Sequence, residues 1–177
     1  MRFKNFFLTL SLLAAFLTVN VLSAQNDNAQ RPSPAMTATK KIGDLAITIN
    51  YSSPAVKGRK VFGGLEAYGK VWRTGANEAT TFEVNKNVTL DGQKLPAGKY
   101  ALFTIPGEKE WVLIINKEAN QWGAYNYKKE QDILRINTKP GKNKENEERL
   151  KFDISDKGVV TFAWELANFA FAVKEDK

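Results

Sequence analysis

LKFDISDKGVVTFAWELANFAFAV, residues 150–173, decides the fold. Leu150, Phe152 and Ile154 alternate with Lys151 and Asp153, the period of two that gives a β-strand one apolar face. SDKG (155–158) supplies a turn, and Val160, Phe162, Trp164 and Leu166 then form the apolar face of the next strand. Phe169, Phe171 and Val173 close the chain with the same period.

The same pattern extends back along the chain to Ile42. LAITINY (45–51) and TTFEVN (80–85) are rich in the β-branched and aromatic residues that suit a pleated surface. VTLDGQKLPAGKYALFTI (88–105) contains two turn dipeptides, Asp91-Gly92 and Ala97-Gly98, either of which can fold a hairpin. EWVLIIN (110–116) is almost continuously apolar, as expected of a strand covered on both faces, and Leu134 and Ile136 alternate with Arg135 and Asn137. About nine strands with little helix predict an all-β protein: a two-sheet antiparallel sandwich or a jelly-roll-like barrel. Helix is expected only as single turns near GGLEAYG (63–69) and EANQW (118–122).

Ahead of this domain, Arg2 and Lys4 precede an apolar run from Phe6 to Val19, and Val21 to Ala24 offer a cleavage region. Residues 1–24 therefore read as a signal peptide, 25–41 as a flexible polar lead, and 42–177 as a single β domain. Export to the periplasm or the cell exterior is expected, with no membrane span after cleavage. Loss of Arg2 and Lys4 leaves 24 basic residues against 19 acidic ones, a net charge of +5. The basic residues are interleaved with acids, as in KNKENEER (142–149), so no nucleic-acid stripe is expected.

Two absences bound the chemistry. The chain has neither histidine nor cysteine, which excludes Ser-His-Asp and Cys-His catalysis and the usual zinc sites. No cofactor and no metal are expected, since no D-x-D-x-D-G run occurs either.

Polar and aromatic residues gather where the strand pattern lapses, in YSSPAVKGRKVFGG (51–64), VWRTGANEAT (71–80) and NQWGAYNYKKE (120–130). In a sandwich such loops can converge on one rim. Trp72, Trp122, Tyr125 and Tyr127 offer flat faces, and Arg73, Asn77, Glu78 and Asn126 offer donors and acceptors. Each also has a structural reading: the tryptophans as core caps, Arg73 and Glu78 as an ion pair across the turn, Asn77 as a turn residue. Among Glu66, Glu78 and Glu83, only Glu78 is well placed for acid or base chemistry, because Glu83 alternates outward between Phe82 and Val84.

YSSPAVKGR, VFGGLEAYGKVWRTGANEAT, LPAGKYALFTIPGEKEWVLIIN and NQWGAYNY together resemble DUF 2911, a family of secreted bacterial proteins known as a domain of unknown function. The resemblance implies an extracytoplasmic, mostly β domain and carries no catalytic residue with it. Tyr51, Ser52, Trp72, Arg73, Asn77, Glu78, Trp122 and Tyr125 fall within these strings and form the expected ligand site. The reading that follows is a non-enzymatic binding module for a saccharide or an envelope-derived small ligand. Two alternatives stand beside it: a glycosidase-like hydrolase using Glu78 with Arg73, and a structural module that contacts another envelope protein.

Overall fold

The computed structural model describes residues 31–176. The predicted signal peptide and the first part of the lead lie outside the described residues. Ten strands form two antiparallel sheets: β1 (Ala35–Ile42), β2 (Leu45–Ser52), β3 (Thr81–Val84), β4 (Val88–Leu90), β5 (Gln93–Leu95), β6 (Gly98–Ile105), β7 (Trp111–Asn116), β8 (Asp132–Thr138), β9 (Gly141–Ile154) and β10 (Val159–Glu175). One sheet has the order β1-β2-β3-β6-β7-β8 and the other β5-β4-β10-β9. This is the predicted all-β sandwich, and it does not close into a barrel.

The lead ends earlier than its composition suggests. Residues 35–42 are β1, paired in unbroken register with β2 from Ala35↔Ser52 to Ile42↔Leu45. A two-residue loop with Gly43 at φ +59° joins them, and Thr37 and Thr39 hydrogen-bond Asn50 and Thr48 on the outer face. The segment has few large apolar residues because it is an edge strand that buries little. Among the described residues helix is confined to one 3-10 turn at Lys129–Gln131, whereas 63–69 and 118–122 are irregular. Loop backbone there is satisfied by contacts such as Glu66 N–H to Val61 O, so no helical bonds are needed.

Between the sheets, Ile47, Ile49, Phe82, Leu102, Leu113 and Ile115 meet Phe162, Trp164, Phe169 and Phe171. Trp72 lies stacked on Trp164 with ring centroids 5.7 Å apart, and Phe62 packs edge-on against Trp72, Trp111 and Trp164. EWVLIIN is covered on both faces as expected. Trp111, Leu113 and Ile115 enter the main core, while Ile114 joins Phe103, Ala101 and Ala79 in a second cluster.

β10 departs from the simple alternation. Phe162 and Phe169 stack with centroids 4.8 Å apart, and the Val173 N–H donates to the Gly158 carbonyl at 2.8 Å. An extended strand would separate such residues by roughly 20 Å or more. The strand therefore reverses on itself at Glu165 and Leu166, where Glu165 takes φ +54°. One arm pairs with β9 from Val160↔Ile154, and the other pairs with β4 at Val173↔Leu90. The reversal explains why inward residues are even-numbered up to Trp164 and odd-numbered from Phe169. It also corrects Leu166, which sits exposed at the tip rather than on the apolar face. Asn143 Nδ2 donates to the Glu165 and Ala167 carbonyls at 3.1 Å each, satisfying the backbone at the bend.

Candidate functional site

VWRTGANEAT is a loop pinched shut at its base. Trp72 exchanges two backbone hydrogen bonds with Thr104 of β6 (2.7 and 2.9 Å), and the Thr80 carbonyl accepts from Leu102 N–H of the same strand at 2.7 Å. Thr80 N–H returns to the Arg73 carbonyl at 3.2 Å, and Thr80 Oγ1 donates to the Thr74 carbonyl at 2.9 Å. Thr74 and Asn77 both adopt positive φ, and a Cβ on Gly75 would press on Thr80 Oγ1 and the Ser52 carbonyl. Residues 73–79 thus leave the sheet as a compact excursion whose polarity serves turn geometry first.

Two of the three predicted segments meet through backbone pairing. Glu78 and Trp122 form an isolated antiparallel bridge, the Ala79 N–H donates to the Gln121 carbonyl at 2.9 Å, and the Gly123 N–H donates to the Asn77 carbonyl at 3.1 Å. Their meeting place differs from the expected sheet end. Ala124 and Tyr127 pack over Phe103 and Ile114, so the segment lies across the outer face of the six-stranded sheet.

A polar network holds it there. Tyr127 Oη donates to Asp132 Oδ2 at 2.6 Å, Arg135 Nη1 donates to the same carboxylate at 2.6 Å, and Asn116 Nδ2 reaches Asp132 Oδ1 at 2.8 Å. Burial, then the hydrogen bond to the Asp132 carboxylate, push the Tyr127 phenol up to about 12. Tyr127 is therefore a fixed strut rather than a ligand face.

The eight residues expected at the site divide sharply. Tyr51 and Trp72 belong to the core: Tyr51 packs edge-on against Phe152, and Trp72 is 4% exposed with its Nε1 donating to the Gly75 carbonyl at 3.1 Å. Neither can face a ligand, and the expectation is corrected because two packed sheets cover both rings. Ser52 is buried, and its Oγ accepts from Asn77 Nδ2, which also donates to the Ser33 carbonyl. Asn77 is thus a tie between the loop, β2 and the segment preceding β1. Trp122 and Tyr125 remain outside, 56% and 81% exposed.

Glu78 and Arg73 do not pair. Glu78 Oε1 instead accepts from Arg31 Nη1 at 2.8 Å. Desolvation pushes the Glu78 carboxyl up, but the hydrogen bonds from Arg31 and its own backbone N–H, with the Arg31 charge, win and hold it below the ordinary value. It is a carboxylate at neutral pH and unsuited to act as a general acid. Arg73 Nη1 lies 3.4 Å from the point a Cβ on Gly123 would occupy, and the Tyr125 ring is 3.0 Å from the same point. Its Nε is buried without a hydrogen-bond partner among the described residues.

Glu66 is the acidic group that sequence reasoning undervalued. Burial raises its carboxyl to about 7 despite the opposing charges of Arg73 and Arg59. The loop that carries it is tied down on both sides of Phe62, where Gly63 N–H donates to the Glu66 carbonyl and Val61 N–H donates to Glu165 Oε1. Nothing local in GGLEAYG announces this, because the two arginines that act on the carboxyl lie outside it, Arg59 ahead of Phe62 and Arg73 in the pinched loop. A carboxyl raised on folding binds its proton more tightly in the native state. Its stabilising contribution is then complete below about pH 4.5 and lost as pH rises toward about 7. Glu66→Gln should flatten the fall in urea midpoint between pH 4.5 and 7.5; an unaltered pH slope would show that Glu66 is not the group responsible.

A family model described as a protein of unknown function (DUF2911) matches residues 33–173. No curated protein and no solved structure matches the chain.

Proposed function

Because the chain belongs to the DUF2911 family, whose description carries no activity, we propose from the site itself that it is an exported, non-enzymatic binding domain for a saccharide or other envelope-derived small ligand. The N-terminal basic start and apolar run support export. The observation that carries the binding reading is the placing of two exposed aromatic side chains, Trp122 and Tyr125, beside a half-buried arginine that no ion pair among the described residues includes. Sugars are recognised by such a combination: a ring face stacks on the aromatic, and planar donors meet its oxygens. The supporting backbone is rigid, since the loop carrying Arg73 and the segment carrying Trp122 are bridged to each other. Preorganisation of this kind lowers the entropy cost of binding.

Fluorescence offers a clean test, because Trp72, Trp111 and Trp164 are buried and Trp122 alone among the tryptophans is exposed. Acrylamide should quench mainly Trp122, and a bound oligosaccharide should protect it. Trp122→Ala should abolish the response and weaken binding by roughly thirtyfold or more, while leaving stability nearly unchanged. A silent wild-type protein across neutral and acidic glycans would reject the proposal. Co-purification of a protein partner in its place would favour the structural-module alternative.

A further inference from the structure

Resting on the binding reading above, we propose that the ligand carries a carboxylate, as a uronic-acid saccharide does, and that Arg73 is the side chain that grips it. The charge arrangement around Arg73 leads there. The neighbouring acid in its own loop, Glu78, is already engaged by Arg31 at 2.8 Å. None of the ion pairs among the described residues includes Arg73. A half-buried guanidinium without a carboxylate partner among the described residues remains available to an incoming anion.

The surroundings strengthen the preference for an anion. Arg59, the second cation acting on Glu66, donates from Nε and Nη2 to the Val56 and Ala55 carbonyls (2.9 and 2.6 Å), which hold it without neutralising its charge. Both arginines act on the Glu66 carboxyl, and burial keeps that carboxyl partly protonated at neutral pH. Glu66 is therefore an incomplete counter-ion for Arg73. A ligand carboxylate would complete the pairing, and the planar guanidinium fork suits it better than a hydroxyl.

Gly123 completes the geometry. Its φ of +67° strains any other residue, and a Cβ there would crowd the Tyr125 ring and touch Arg73 Nη1. The guanidinium can therefore lie against bare backbone beside Tyr125, with Trp122 adjacent in the chain. A sugar ring stacked on an aromatic face would have its carboxylate substituent within the reach of Arg73.

The test compares oligogalacturonides with neutral oligosaccharides of equal length, titrated into the mature chain by calorimetry and by Trp122 fluorescence. The acidic series should bind at least about tenfold more tightly, and Arg73→Met, which keeps the side-chain length without charge, should erase that preference. Glu66→Gln removes a negative charge while leaving Arg73 intact, so it should tighten acidic oligomers at least about threefold at pH 8. Equal affinity for the two series, an acid preference that survives Arg73→Met, or no gain in Glu66→Gln would each overturn the inference and leave the saccharide reading standing. Absence of binding by either series in the wild type would remove both.

Discussion

Trp72→Ala is expected to lower stability by about 3–5 kcal/mol, the range for a large aromatic removed from a packed core. The indole lies between the sheets, stacked on Trp164 and contacted edge-on by Phe62 and Phe162 at 5.8 and 6.0 Å. Its Nε1 also closes the pinched loop through the Gly75 carbonyl, so the substitution opens a cavity and removes a buried hydrogen bond together. In thermal denaturation followed by far-UV circular dichroism, the midpoint should drop by roughly 10 °C or more. Trp72→Phe should recover part of the loss, since most of the packing surface returns while the donor does not. A shift of about 2 °C or less for the alanine variant would show that the ring is not the keystone described here.

Gly158→Ala is the second large effect expected. At φ +75°, an alanine is strained whatever the space around it, and here its Cβ would also collide with the carbonyl oxygen of Val173. That oxygen belongs to the returning arm of β10, whose N–H donates to the Gly158 carbonyl, so the backbone cannot retreat without breaking the pair. We expect a loss of about 2 kcal/mol or more, larger than the usual glycine-to-alanine penalty at a merely left-handed position. Gly92 is the control: its φ is +88°, yet a Cβ there would meet no atom within 4 Å. Comparable urea midpoints for Gly158→Ala and Gly92→Ala would mean that backbone conformation alone, and not the close approach of the two arms, governs the site.

Much of this architecture was legible because burial imposes a period of two. Leu150, Phe152 and Ile154, and the residues of β2, state their faces directly in the sequence, while the unbroken apolar run of β7 states burial on both sides. β1 escaped notice because an edge strand needs no apolar face, so its alanines, threonines and lysines read like a linker. The reversal in β10 was hidden for another reason: the turn falls on Glu165 and Leu166, without the glycine or asparagine that usually marks such a bend. Only the switch from even to odd inward positions betrays it.

The candidate site was half legible on the same grounds. Exposed aromatics in NQWGAYNY and the polar character of WRTGANEAT singled out two segments that backbone bonds do bring together. Composition could not separate Trp122 from Trp72, since an indole suits a core and a surface equally. Nor could it choose between Glu66 and Glu78, because each carboxyl's proton affinity is set by arginines and burial brought from elsewhere in the chain.

The doubled-back final strand has a kinetic corollary. Its two arms meet across fewer than twenty residues of chain, a short closure that can form early, whereas docking β4 against Val173 must bring together segments more than eighty positions apart. The C-terminal ribbon thus offers a preformed edge, and the small β4–β5 hairpin is the piece expected to arrive late and to fray first under denaturant.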